Sequence, residues 1–248
     1  MSLDAFHHID LIVDHGDDPA QGRRFLAVNT RGWLPEDEAV LTLEAIIKFT
    51  MYERRAADQI DAAPAVLELV TTEQPPATLL CWLRDRGVEC TTLEGEVRAP
   101  SIGRPSTYAA DERGGPALDP LVEVAAMRCA EEHGLPWPPT SAGLEALDAV
   151  LDARRAQAGF GPDAESPDLE DGELLVLGGS YAGEAARRRF GGTWRYEPQQ
   201  GTPLVLAIGA DEGVRVNFHG KVDKYLCSGP GDSVAALVNA LAAHVAEG

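Results

Sequence analysis

The chain has 248 residues, of which 44% are hydrophobic and 25% are charged, so it is long enough to bury a substantial core. Forty Asp and Glu residues against 21 Lys and Arg residues give a formal net charge of −19. This acidity excludes the basic footprint that nucleic acid or an anionic membrane surface requires. We therefore expect neither nucleic acid nor a membrane among the partners.

The N-terminus and the cysteines indicate a compartment. The segment MSLDAFHHIDLIVDHGDD lacks the cationic stretch and the cleavage site of a secretory signal, and no apolar run reaches the ~18 residues of a membrane span. The cysteines form no CxxC pair, which is typical of free thiols in a reducing compartment. We expect a cytoplasmic protein.

The first part of the chain, residues 1–110, has the pattern of an α/β unit. Pro35 is placed where proline favours the first turn of a helix, followed by three acids that complement the helix dipole. A strand, a helix and a further strand after it predict a βαβ unit. The predicted elements are strands at 6–13 and 25–28, a helix from residue 35 to about 60, a strand at 65–70, a helix at 78–86 and a strand at 88–93.

A histidine cluster lies in the first predicted strand. His7, His8 and His15 occur close to Asp10 and Asp14. Alternate side chains of a strand point to opposite faces, so at most two of these ligands align, whereas zinc needs three or four. We expect solvated histidines and no metal site.

The middle of the chain predicts helices between two connecting segments. Residues 99–120 are rich in Pro, Gly and polar residues, and the acidic segment 159–172 lacks periodic apolar positions. Helices are predicted at 118–133 and 141–157, and either connecting segment can join two units. The predicted organisation is an N-terminal α/β unit at 1–110, a helical connector at 111–158 and a C-terminal α+β unit at 173–248.

The C-terminal unit predicts a helix packed on a small antiparallel sheet. Strands are predicted for TWRYE, PLVLAIG and VRVNF, and a closing helix at 232–246 follows the Gly229-Pro230-Gly231 break, with Asp232 or Ser233 as its cap. The predicted fold class is therefore mixed α/β in two small units.

The glycine-rich segment before these strands admits two interpretations. As one helix over 173–190, it places Leu177, Tyr181 and Ala185 on one face, while Gly179 and Gly183 allow another element to pack closely. This interpretation is favoured, because it needs no unusual chemistry.

The alternative is a dinucleotide site over 176–197, formed by a strand, a glycine turn and a helix. Its cofactor-binding residues would be Gly178, Gly179, Ser180 and Gly183, with Glu197 holding a ribose. Ser180 stands where close approach of a phosphate favours glycine, and the helix would be about one turn short.

No catalytic residue is predicted. Ala182 breaks the GxSxG pattern around Ser180, and Asp148 and Asp152 are explained by an exposed helix face. A ligand or partner surface is a further hypothesis, because two of the three lysines lie together near aromatic and polar residues. Its candidate residues are Tyr181, Glu184, Trp194, Asn217, Lys221 and Lys224.

The last 90 to 110 residues resemble uncharacterised actinobacterial families that carry a GxYxGE…GGxW…K…G signature. The chain has GGSYAGE at 178–184, followed by GGTW at 191–194, Lys221, Lys224 and the GPG turn at 229–231. The resemblance implies a helix on a small antiparallel sheet and carries no assigned chemistry.

These observations predict a non-catalytic intracellular binding or accessory protein, immunity-like or complex-forming, with a protein partner and no cofactor. The alternative function is a nucleotide-binding or oxidoreductase-type enzyme that uses 176–197. A metal-dependent hydrolase built on the N-terminal histidines is the weakest hypothesis.

Overall fold

A computed structural model describes residues 10–14, 24–29, 38–47, 66–71, 75–85, 88–92, 117–158, 172–197, 202–208 and 213–246. The chain divides into two compact units, Met1–Ala117 and Leu118–Gly248. Helices and strands occur in both units, and helices predominate, so the predicted mixed α/β class is confirmed.

The first unit contains a four-stranded sheet with the order β1-β2-β3-β4. Strand β1 runs antiparallel to β2, whereas β2, β3 and β4 are parallel, so the predicted βαβ unit is confirmed for β3, α2 and β4. The elements are β1 (Asp10–Asp14), β2 (Arg24–Asn29), α1 (38–47), β3 (Val66–Thr71), α2 (Ala77–Asp85) and β4 (Glu89–Thr92).

Helix α1 is buried from residue 39 to residue 47, as expected for a helix that is apolar almost all round. The Thr78 hydroxyl of α2 donates a hydrogen bond of 2.8 Å to the Glu38 carboxylate at the start of α1. His7, His8 and His15 lie outside the described residues, as does the predicted helix beyond residue 47.

In its described residues, the second unit contains five α-helices, one short 3₁₀ helix and a three-stranded antiparallel sheet with the order β5-β6-β7. Both helices of the segment 111–158, the predicted connector, contact α5 within this unit. The elements are α3 (Leu118–His133), α4 (Ser141–Ala158), α5 (Gly172–Phe190), β5 (Thr193–Glu197), β6 (Thr202–Ile208), β7 (Val214–Val216), α6 (Phe218–Ser228), a short 3₁₀ helix (Pro230–Asp232) and α7 (Val234–Ala246).

Helix α5 is the centre of the second unit, because it contacts the four other α-helices described there as well as β6. Leu177 and Tyr181 are fully buried, and Ala185 is nearly so. The interpretation of 173–190 as one helix is therefore confirmed, and a strand followed by a glycine turn at 176–183 is wrong. Among the described helices, none combines the length and the apolar character that crossing a bilayer requires.

One predicted strand is shorter than expected. The pattern VRVNF suggested a strand to residue 218, but β7 ends at Val216 and α6 begins at Phe218. Asn217 causes the change, because its side-chain oxygen accepts a hydrogen bond of 2.7 Å from the amide of Gly220 and so caps the helix.

Candidate functional site

Helix α5 meets α6 at Gly179 and Ser180. The ring of His219, in the first turn of α6, lies directly on Gly179, where an added Cβ atom would stand 2.4 Å from the His219 Cδ2 atom. The Ser180 hydroxyl is 3.3 Å from the Nε2 atom of the same ring. Since Ser180 is 0% exposed and His219 is 2% exposed, this polar pair lies inside the unit.

Burial determines the charge of His219. It lowers the pKa of the imidazole from 6.5 to about 4, and the nearby Val176 carbonyl group opposes the shift in part. The Nδ1 atom makes no hydrogen bond of ordinary geometry within the described part of the chain. The ring of Trp194 lies 5.6 Å away, measured between ring centroids. His219 is therefore neutral at neutral pH.

Helix α5 meets β5 one turn further on, at Gly183 and Glu184. Here the indole of Trp194 occupies the space beside Gly183, where an added Cβ atom would stand 2.1 Å from the Trp194 Cζ2 atom. The indole Nε1–H donates a hydrogen bond of 3.2 Å to the Glu184 carboxylate. Arg187 donates two more hydrogen bonds to Glu184, at 2.6 and 2.9 Å, which raise the pKa of the guanidinium.

The two contacts have the same construction. In each, a glycine of α5 receives an aromatic ring, and the next residue of α5 hydrogen-bonds a nitrogen of that ring. The glycines are four positions apart, so the rings of His219 and Trp194 lie on one face of the helix and contact each other. The GSYAGE segment thus fixes the positions of α6 and β5 against α5.

The side chains with catalytic potential are engaged in this packing. Ser180, Glu184 and His219 join α5 to its neighbours, and the Tyr181 hydroxyl donates a hydrogen bond of 2.7 Å to the Pro136 carbonyl oxygen. Burial raises the pKa of Tyr181 to about 12. A substrate could reach Ser180 only if α5 and α6 separated.

Half of the predicted ligand surface is buried, which corrects the sequence prediction. Tyr181 and Glu184 are fully buried, and Trp194 is 3% exposed. The error has a physical reason: their polar atoms suggested contact with solvent, but those atoms hydrogen-bond inside the unit.

The other three predicted residues lie on or near α6, and two have structural partners. Asn217 caps the helix through Gly220. The ammonium group of Lys221 forms an ion pair of 2.7 Å with the Asp232 carboxylate. Lys224 is exposed to solvent.

The residues of the alternative dinucleotide site are not arranged as a phosphate cradle. Four of them lie in the middle of the buried helix α5: Gly178, Gly179, Ser180 and Gly183. Gly178 packs against side chains of α4 and α6. Glu197 ends β5, after the chain has left this helix. A phosphate-binding turn would instead present free backbone amides at the start of a helix.

Asp148 has a role that its spacing did not reveal. This residue of α4 accepts hydrogen bonds from Ser233 Oγ at 2.6 Å, from the Val234 amide at 3.0 Å and from the Ala235 amide at 3.3 Å. Its carboxylate therefore occupies the N-terminus of α7, where the helix dipole favours an anion. The prediction of an exposed face holds for Asp152, but Asp148 is half-buried in this contact.

A surface area of mixed character lies beside the last turn of α5, where Arg188 is exposed. Trp137 is 38% exposed and Met127 is 39% exposed. The Arg188 guanidinium lies 5.1 Å from the centroid of the Trp137 ring and 2.8 Å from the Glu123 carboxylate. Glu123 precedes Met127 by one turn of α3. We call these four residues, Glu123, Met127, Trp137 and Arg188, the Trp137 patch.

No family model, curated protein or solved structure matches the chain. Among the described residues, no group of three or more His, Cys, Asp or Glu side chains is arranged to hold a metal ion. The geometry of the second unit is therefore the basis for the proposal that follows.

Proposed function

We propose that this chain is a non-catalytic binding or accessory protein, and that it docks a protein partner through the Trp137 patch. Its role would be complex-forming or immunity-like. The observation that carries the proposal is the pair of large apolar side chains, Trp137 and Met127, held at the surface beside Arg188.

The composition of the patch is that of an interface centre. Trp and Arg are enriched among the residues whose truncation costs most binding energy, and Met adapts to irregular partner surfaces. Arg188 holds the Trp137 ring through a cation–π contact, so the aromatic side chain is already ordered before a partner arrives. An ordered side chain loses less conformational entropy on binding.

The charge of the patch favours one kind of partner. The last turn of α5 carries Arg187, Arg188 and Arg189 in a chain whose net charge is −19. Glu184 pairs with Arg187 and lies 3.8 Å from Arg188, which also pairs with Glu123. Arg189 is exposed and donates a hydrogen bond to Asn239. Three arginines against these two acids leave a local excess of positive charge in an acidic chain, so the partner would present an apolar side chain flanked by acids.

The buried polar side chains support the non-catalytic part of the proposal. Ser180, Glu184 and His219 each form a buried polar contact that joins α5 to α6 or β5. These interactions give the second unit a fixed shape behind the patch. The proposed resemblance to families with a GxYxGE…GGxW signature is compatible with a packing role for these residues.

The test is site-specific photo-crosslinking in the source cells. A photoreactive phenylalanine analogue at position 137 should give a discrete adduct, whereas the same group at exposed Ala236 on α7 should not. The identified partner should then bind Trp137→Ala and Arg188→Glu variants at least about fivefold more weakly, since residues at an interface centre each contribute above about 1 kcal/mol.

Several outcomes would overturn the proposal. Equal labelling from positions 137 and 236 would show that the patch is not an interface. An adduct between two copies of the chain would show that the patch serves self-association and not a separate partner. Unchanged affinity of the purified partner for both variants, with the variants folded by circular dichroism, would place binding elsewhere.

A further inference from the structure

Arg155, near the end of α4, has one donor without an acceptor among the described residues. Its side chain is partly buried, and its Nε–H group is fully buried with no hydrogen-bond acceptor in the described part of the chain. A buried donor that loses its acceptor costs about 1–3 kcal/mol, and more when the group is charged. In a chain with 40 acidic residues, an arginine left in this condition needs an explanation.

The loop after α6 is shaped around the Arg155 guanidinium. Gly229 has a φ of +88°, which side-chain-bearing residues rarely adopt. An added Cβ atom at Gly229 would stand 1.8 Å from the Arg155 Nη1 atom and 2.7 Å from Cζ. The guanidinium therefore occupies the space that a side chain at position 229 would need, and glycine leaves that space open.

The acids around Arg155 already have other donors. Asp148 accepts three hydrogen bonds at the N-terminus of α7, and Asp232 pairs with Lys221. Burial raises the pKa of Tyr225, and so do the negative charges of Asp148 and Asp152 and a hydrogen bond to Asp152. The positive charge of Arg155 lowers the same pKa. Arg155 is therefore close to these groups, yet its own hydrogen-bonding fork is not occupied by any of them.

The loop beside the guanidinium reaches the surface within two residues. Pro230 and Gly231 follow Gly229 at the surface, and an added Cβ atom at Gly231 would meet nothing within 4 Å. A planar fork of N–H donors beside an open glycine loop matches the geometry of an oxyanion.

We propose that Arg155 and the Gly229–Gly231 loop bind an oxyanion, either the carboxylate of an acidic peptide or metabolite or a phosphate group. This site lies on α4 and the α6–α7 loop, whereas the Trp137 patch lies on α3, α5 and the loop that follows α3. The inference does not depend on the proposed docking function.

A structural role for Arg155 is the competing explanation. The guanidinium lies at the C-terminus of α6, where a cation stabilises the helix dipole. Replacing a purely structural arginine lowers stability but leaves the general difference between phosphate and chloride unchanged. A binding arginine makes stability depend on which anion is present. The anion dependence therefore separates the two roles.

The experiment compares inorganic phosphate, succinate and chloride at equal ionic strength. Phosphate or succinate should raise the Tm of the unaltered protein by about 2–4 °C when present at about five times its dissociation constant. Phosphate also stabilises proteins without binding a site, so the comparison needs variants. Arg155→Gln should lose the rise, and Arg154→Gln, which removes the same charge one position earlier, should keep it.

Nuclear magnetic resonance can detect anion binding at Arg155 directly, without a measurement of stability. In protein labelled with ¹⁵N-arginine, titration with phosphate or succinate should shift the Arg155 Nε–H signal in a saturable way, with the signal assigned from Arg155→Lys. If phosphate saturates the shift at a lower concentration than succinate, the natural ligand carries a phosphate group; the reverse order indicates a carboxylate. No signal shift with either anion, or equal Tm rises in Arg155→Gln and Arg154→Gln, would overturn the proposal and leave Arg155 a structural residue.

Discussion

Lowering the pH should weaken the contact between α5 and α6, because it charges His219. The ring is buried against Gly179 and beside Ser180, with its folded-state pKa near 4 and an ordinary value of 6.5 when exposed. Between these two values the unfolded chain binds a proton that the folded chain rejects. Stability from the neutral ring is therefore complete above about pH 6.5 and is lost as the pH falls toward 4.

The size of the effect follows from the two pKa values. Their difference corresponds to a maximum of about 3 kcal/mol of unfolding free energy. Most of that loss, about 2 kcal/mol, should occur between about pH 7 and pH 5. Other groups titrate over the same range, so the informative quantity is the difference between the unaltered protein and a variant that lacks the imidazole.

His219→Gln is the suitable variant, since its amide can still hydrogen-bond Ser180 but does not titrate. Urea-induced unfolding, followed by far-ultraviolet circular dichroism, gives the free energy of unfolding at both pH values. The unaltered protein should lose about 2 kcal/mol more than His219→Gln on acidification. His133→Gln is the control: burial lowers the pKa of His133, but Glu132 opposes this, and the ring is half-exposed.

Equal losses in the unaltered protein and His219→Gln would refute this reasoning. That result would mean that the ring is solvated or that its positive charge is compensated in the folded state. The close approach of α6 to Gly179 would then not be a dry contact. The same conclusion would follow if His133→Gln reduced the acid-induced loss of unfolding free energy more than His219→Gln does.

Two further predictions test the packing of α5 and the alternative function. Gly183→Val should destabilise the second unit by about 1–3 kcal/mol, because its side chain would overlap the Trp194 indole, whereas Gly213→Ala, which meets nothing within 4 Å, should change stability by less than about 0.5 kcal/mol. Equal effects in urea unfolding would contradict the packing role. A thermal-shift screen of NAD, NADP, FAD and ATP should be flat, although a bound nucleotide at about 100 times its dissociation constant would add about 2.7 kcal/mol. A rise that Glu197→Ala abolishes would favour the enzyme hypothesis.

The helices and strands were predictable where one periodicity dominates. Apolar residues at helical spacing identified α5. The dinucleotide hypothesis instead required a strand and a turn at glycines that lie in the middle of this helix. The end of β7 was missed, because the apolar pattern continues to Phe218 while the Asn217 cap breaks the strand. Caps are short polar signals that compete with a longer apolar one.

The long-range pairings could not be predicted in the same way. Ser180 and His219 are 39 positions apart, and a serine followed by a distant histidine is common in any sequence. Asp148 had the spacing of an exposed helix face, and only the packing of α4 against α7 makes it a cap for that helix. Such contacts depend on how helices cross, which periodicity does not specify.

The polar residues of α5 are best understood as determinants of position. A glycine alone would let an aromatic ring approach the helix in several orientations, since apolar contact has no direction. The hydrogen bond from the next residue selects one of them: Ser180 orients His219, and Glu184 orients Trp194. A buried carboxylate is costly unless it is paired, and Arg187 supplies that pairing from the next turn. The same feature that resembles a nucleotide motif, two glycines followed by polar residues, is thus sufficient to fix α6 and β5 on α5 without any ligand.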